Sequence, residues 1–470
     1  MKRLVQIAPK ALLGCAAVAL SSVPAAQAID INFTFGEGTT LEQRTAFELA
    51  GLIWEEYLVD DVEVNLFVDL VGEELLPENV LGGSLPTMTT QSFSGFRSAH
   101  QADQTSHRDA MAYNSMPTKD FTSYRTLSNA GNGKSNNLSL TRANSKALGL
   151  VKNDDNLDGL IVMNEAFNWN YDFSNGPANN QIDFLSVVLH EIGHSLGFTS
   201  VVDTLVSQQQ ANQLTNDLLG FNLFSSTSVQ AHALDLFRYS SDTVGNQRID
   251  LMTDDLVKFL SLDGRNAVYT DGIQVYNNPS DCQNLSSDRS QCRVAEFSTG
   301  KGVDGDGYQA SHWKQQQFLG TEKTIGIMDP AIGYGMTREI TALDLVAFDV
   351  IGWDTRQNMR DGIHAGEVSY NLNSLLANAQ QQASNPNFAD LEDYVDLIEG
   401  NTSYYNCILF PWIPGCRGGG GWQELLQANL LTQEVIHNEP EKVPEPATIF
   451  GLLGFAALSL VSSRQRWQDK

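Results

Sequence analysis

Basic side chains are scarce in this chain of 470 residues. Lys and Arg number 29 against 56 Asp and Glu, a formal net charge of −27 at pH 7. So acidic a chain repels phosphate backbones, which excludes nucleic acid as a partner. The same surplus suits a soluble, exported protein and is compatible with calcium binding. Cysteine is scarce too, with five residues. Cys15 lies in the N-terminal leader. Cys282 with Cys292 and Cys407 with Cys416 sit at spacings poor for a four-thiolate zinc site. In an oxidising compartment they read as two local disulfides. Histidine numbers eight, few enough to weigh singly. The apolar run near the C-terminus, Ile449 to Val461, falls short of the ~20 residues of a membrane span.

What is present begins with an export leader. Lys2, Arg3 and Lys10 form a charged start, Ala11 to Val23 an apolar stretch, and Ala26-Gln27-Ala28 a small-residue cleavage site, so the mature chain starts at Ile29. Ile29 to Phe35 and Val62 to Leu70 alternate apolar and polar residues and predict strands. Between them, Thr39-Thr40 caps a helix from Leu41 to Leu58. Residues 86–135 are polar and read as loops, with a helix near 98–113. A further strand falls at Leu160 to Met163. The chain is therefore expected to be α+β, a mixed sheet with helices on it.

The chemistry centres on His190-Glu191-Ile192-Gly193-His194-Ser195-Leu196-Gly197-Phe198. It contains H-E-x-x-H. On a helix, positions i and i+4 share a face, so His190 and His194 can bind one zinc ion while Glu191 reaches a water on it. Asp183 to Leu189 reads as the buried first half of that helix, and Gly197 permits a sharp turn after it. A catalytic zinc needs a third protein ligand. The compact position for it, residue 200, is Ser200. His312, beside Trp313 in the Gly/Asp-rich loop from Gly305, is the favoured third ligand. The rivals are Asp203, His232 and a Glu on a later helix. His100, His107, His364 and His437 read as surface residues.

Three further stretches carry expectations. Asp154, Asn156 and Asp158, with Gly159 and Glu165, fit a calcium-loop pattern; the competing reading is an acidic turn feeding an edge strand that lines a substrate cleft. Ala233 to Tyr239 and Val268 to Val275 read as strands. Ile340 to Ile351 reads as a helix stopped by Gly352, after an apolar turn centred on Met328.

Taken together, HExxHxxGF at residues 190–198, a distant His312 and the turn Met328-Asp329-Pro330 resemble the metzincin zinc peptidases, and more narrowly their leishmanolysin-like branch. The resemblance implies a zincin-like fold over residues 29–356, with about 201–305 inserted between the second and third zinc ligands. It implies Zn2+ on His190, His194 and His312, Glu191 as general base, and Met328 as an apolar floor under the metal. The substrate would be a protein or peptide. Two features depart from the family: Ser200 breaks the compact spacing, and no Tyr stands two residues after Met328, Tyr334 being the nearest. A different class of function is also open, a surface or matrix protein that keeps such a fold without turnover; so is hydrolysis of a non-peptide amide or ester.

Residues 357–442 read as an extension and linker, with Leu391 to Leu397 helical and Arg417-Gly418-Gly419-Gly420-Gly421-Trp422 flexible. They are expected to space the catalytic module from the tail. That tail, residues 443–470, opens with Val443-Pro444-Glu445-Pro446, continues with the apolar run and ends with Arg464 and Arg466. It resembles the PEP-CTERM sorting signal. The resemblance implies transient membrane insertion, an exosortase-type partner, and delivery to the cell surface or extracellular matrix of a Gram-negative bacterium.

Overall fold

The computed structural model describes residues 29–72, 75–76, 78–116, 122–125, 133–205, 230–246, 248–254, 256–271, 275–285, 292–302, 304–315, 325–356, 370–394 and 430–436. The leader, the sorting tail, Cys407 and Cys416 lie outside the described residues.

The alternating N-terminal stretch forms β1 (Asp30–Gly36), with Ile31, Phe33 and Phe35 buried on one face. α1 (Leu41–Tyr57) follows. Its first turn is closed by a capping box, in which Thr40 Oγ1 accepts from Gln43 N and Gln43 Oε1 accepts from Thr40 N. β2 (Glu63–Val71), β3 (Val80–Pro86) and β4 (Gly159–Asn164) build the sheet's centre. α2 (Phe184–Leu196) carries the HExxH stretch. Later come β5 (Ala331–Gly333), α3 (Ala342–Val350), α4 (Leu372–Ala383), β6 (Asn387–Ala389) and β7 (Leu431–Ile436).

The seven strands lie in the order β5-β7-β3-β4-β2-β1-β6. β3 is antiparallel to both of its neighbours, and every other pairing is parallel. The α+β expectation with a mixed sheet therefore holds. The strand side chains alternate faces. Ile31, Val64, Leu66, Leu81, Ile161 and Met163 join the large cluster containing α1 and α2. Phe67, Val80, Leu85, Leu160 and Val162 join a smaller cluster with Leu75, Leu76, Leu391 and Leu430. Among the described residues no helix is long and apolar enough to cross a membrane.

Several expectations change. The strand at Leu160–Met163 is interior rather than an edge, because its four residues are apolar on both faces and each face finds a core. The helix expected near 98–113 is two helices, Phe93–Ala102 and His107–Ser115. Leu234–Phe237 is a 3-10 turn, leaving only Arg238–Tyr239 as strand. Tyr269–Thr270 and Val275–Tyr276 are two short antiparallel strands rather than one. The expected helix at Leu391 is a single 3-10 turn, Leu391–Tyr394. The stretch read as a spacer supplies α4, which packs on α1, and two strands of the main sheet.

The calcium expectation meets a filled site. Asp158 Oδ1 accepts from Arg142 at 2.7 Å, and Oδ2 accepts from Lys146 Nζ at 2.7 Å and Asn65 N at 2.8 Å. Asp154 also pairs with Arg142, and Asn156 N turns back to Asp154. With both oxygens of Asp158 committed to cationic side chains, these residues do not converge on a cation. Lys146 and Asp158 are wholly buried. Asp158→Asn takes the buried counter-charge from the Lys146 ammonium, which keeps only the Glu63 and Asp154 carbonyls, so a loss of about 3–5 kcal/mol is expected. Urea unfolding checks this, and added calcium should leave the wild-type midpoint in place.

Candidate metal centre

α2 is held from several sides. Asp183 caps its start, accepting from Ser186 N at 3.0 Å. Trp54 Nε1 of α1 donates to Leu189 O at 3.1 Å, and Trp353 Nε1 donates to Leu196 O at 2.7 Å. Ser195 Oγ meets Ser84 Oγ of β3 at 2.9 Å. The helix stops at Gly197, whose φ of 123° suits a residue without a Cβ. That turn swings Phe198 O back onto His194 Nδ1 at 2.8 Å.

His190, His194 and His312 converge as predicted. Their Nε2 atoms stand 3.0, 3.1 and 3.1 Å apart. The opposite ring nitrogens fix the tautomers. His190 Nδ1 donates to Ile327 O at 2.8 Å, His194 Nδ1 to Phe198 O at 2.8 Å and His312 Nδ1 to Gln309 O at 3.0 Å. Each Nε2 therefore presents a lone pair to the other two. Three acceptors facing one another repel unless a cation lies among them. Tetrahedral zinc with bonds of about 2.0–2.1 Å spaces its nitrogens about 3.3 Å apart, so the donor set fits. Burial holds His190 down to about 4. For His194 and His312, burial and then the neighbouring imidazoles push the value well below the ordinary one. All three rings are thus held neutral, the form that binds metal.

Glu191 lies on the same helix and is wholly buried. Neither of its oxygens completes a hydrogen bond. Burial raises its carboxyl well above the usual range, and the nearby Gln433 N–H draws it back less. An orphaned buried carboxylate beside a three-nitrogen centre fits a role on a water at that centre.

The third ligand arrives on a scaffold from the insertion. Ser200, in the compact ligand position, instead donates its N–H to Ser311 Oγ at 2.9 Å, next to His312. Asp203 accepts from Lys301 N at 2.8 Å and Ala310 N at 2.6 Å, so it braces the loop rather than joining the centre. His232 Nδ1 pairs with Thr199 Oγ1 at 2.9 Å. Trp313 stacks on Phe297 with centroids 4.8 Å apart, and Arg238 donates to Ser298 O at 2.6 Å. The disulfide Cys282–Cys292 forms within the insertion. His100, expected on the surface, is buried, with Nε2 at 3.0 Å from Val350 O.

Met328 lies against the helix between the two ligands. A Cβ built on Gly193 would stand 2.4 Å from Met328 Sδ. Met328 O accepts from Trp313 N at 3.0 Å, joining its turn to the His312 loop. Tyr334 packs part-buried against the core.

Sequence reasoning missed Asp344. Its Oδ1 accepts from Trp313 Nε1 at 2.8 Å and its Oδ2 from Ile327 N at 2.8 Å, while it closes the capping box at Thr341. One carboxylate thereby ties the third-ligand loop to the Met328 turn. The Thr341-x-x-Asp344 pattern was the available signal.

Fold and centre together define a class: an α+β protein with a buried three-histidine, one-glutamate centre. No family model matches the chain, and no curated protein or solved structure is significantly similar to it.

Proposed function

We propose that the chain is an exported, zinc-dependent endopeptidase of metzincin-like build, with His190, His194 and His312 as ligands and Glu191 as general base. The observation that carries this reading is the convergence of three Nε2 lone pairs beside the unpartnered Glu191. Imidazoles alone suit zinc, copper, iron or nickel. The orphaned carboxylate favours a hydrolytic metal over one held only for structure, and zinc is the choice because HExxH pairs two zinc-binding histidines with a Glu base. A zinc ion held there would supply Lewis acidity and a water of lowered pKa.

The chain's own residues supply the rest. Glu191 accepts the proton of the attacking water and passes it to the leaving amine. Ile327 O, Phe198 O and Gln309 O keep each ring turned with Nε2 inward. Met328 fills the space beneath the centre and sets the distance between the helix and its turn.

The leader and the PEP-CTERM-like tail support export and sorting to the cell surface or matrix; both stretches lie outside the described residues, so this part rests on sequence. One observation favours a second reading. All four centre residues are wholly buried, which also suits a surface or matrix protein that holds metal without turnover.

The test is metal content together with cleavage of casein and unstructured peptides. Stoichiometric zinc is expected, with cleavage that EDTA stops and added zinc restores. Zinc without any chelator-sensitive cleavage, including after the closing strand described below is released, would leave only the non-catalytic reading.

A further inference from the structure

A peptidase centre needs a path for its substrate, and a strand of the chain itself runs beside this centre. β7 runs antiparallel along the β3 edge nearest α2, pairing Leu431 with Ser84, Thr432 with Gly83 and Gln433 with Gly82. On its other side it pairs with β5, directly after the Met328 turn. The register slips between Gln433 and Glu434, beside the centre. Gln433 is wholly buried; its Nε2 lies 3.3 Å from His190 Nδ1 and 3.2 Å from Asp329 O.

The loop that carries His312 also grips this strand. The Gln309 side chain donates to Leu430 O at 3.0 Å and accepts from Thr432 N at 2.8 Å. Both bonds go to backbone, two residues apart, which is the repeat of an extended chain. Apart from a long 3.4 Å contact from Thr432 Oγ1, such a clamp reads backbone alone and suits any extended peptide. Lys301 adds a part-exposed ion pair with Glu434 at 3.3 Å. The strand's grip is therefore mostly generic backbone pairing, with Gln433 set against the outer ring nitrogen of His190.

We infer that Leu430–Ile436 is an internal occupant of the substrate cleft, which keeps the centre closed until the strand is displaced or removed. The inference deepens the peptidase reading and rests on it for the word substrate; the closure itself is a matter of access to the centre and can be read separately. An enzyme whose open form is a minor population loses apparent activity in proportion to that population.

The test uses the full mature chain loaded with zinc. Thr432→Pro removes the N–H held by Gln309 and sets a rigid ring against that clamp. Two rates are read: stripping of zinc by EDTA, and cleavage of an unstructured peptide. Both are expected to rise about tenfold or more over wild type, with circular dichroism unchanged. A synthetic peptide of residues 430–436 added to the variant should slow both again. If the variant will not fold, Gln309→Ala releases the clamp while leaving the pairing with β3, and smaller rises in both rates are expected.

Stripping and cleavage at wild-type rates in a folded variant would overturn the inference. So would failure of the added peptide to slow stripping, because the strand would then be structural only. Faster stripping with no cleavage would uphold the closure and count against the peptidase reading instead.

Discussion

Glu191→Gln is expected to leave zinc content unchanged and to cut peptide hydrolysis by roughly 10²–10⁴-fold, the usual contribution of a positioned acid–base group. The two side chains have nearly the same shape, so the packing around α2 should survive. Glu191 does not join the triad of ligand atoms, so removing its charge takes no donor from the metal. The amide N–H does enter a pocket where the glutamate oxygens find no hydrogen bond, so a small loss of stability, about 1–3 kcal/mol, is the upper expectation. What the amide cannot do is take a proton from water. Zinc analysis and kcat/KM, measured in wild type and again with Thr432→Pro, separate closure from chemistry. A zinc-loaded variant with full activity in the opened background would remove Glu191 from the mechanism.

How far the sequence reached follows the range of each interaction. β1, α1 and β2 were legible because their patterns are local: alternation, a Thr cap and helical spacing over Leu41–Tyr57. α2 was legible for the same reason, since i and i+4 on one helix fix two ligands whatever the rest of the chain does. His312 was legible only as the favoured member of a set. Its distance from His194 is 118 residues in sequence and 3.1 Å in space, and only tertiary packing converts one into the other. The calcium reading failed because a pattern of acidic residues says nothing of Arg142 and Lys146, which arrive from a preceding helix to fill the oxygens. The interior place of Leu160–Met163 was hidden because a short apolar run looks alike whether one or both faces are covered. Leu431–Ile436 was least legible of all. It is held through backbone, in register with Ser84, Gly83 and Gly82 and clamped by the Gln309 side chain, and no side-chain pattern announces that.

His312→Ala should lower zinc affinity by roughly a hundredfold or more, because one of three protein donors disappears; structural zinc sites with four protein ligands are worth about 10–16 kcal/mol in all, or roughly 3 kcal/mol per ligand. Two features make a substitute ligand hard to recruit. Asp203, the nearest acidic rival on sequence grounds, already accepts from Lys301 N and Ala310 N, and leaving those bonds would loosen the loop. His232 is engaged with Thr199 through Nδ1. His232→Ala should therefore keep its zinc, whereas Asp203→Asn should weaken binding only indirectly, through the loop. The contrast separates a ligand from a brace. In His312→Ala the facing lone pairs fall from three to two, and the relief of that repulsion offsets part of the cost of the cavity and of the lost bond to Gln309 O in the metal-free chain. Thermal unfolding with and without zinc reads this directly: a large zinc-dependent rise in the wild-type midpoint, and little or none in His312→Ala. An unchanged zinc-dependent rise in that variant would remove His312 from the centre, and with it the split arrangement in which the long insertion delivers the third ligand.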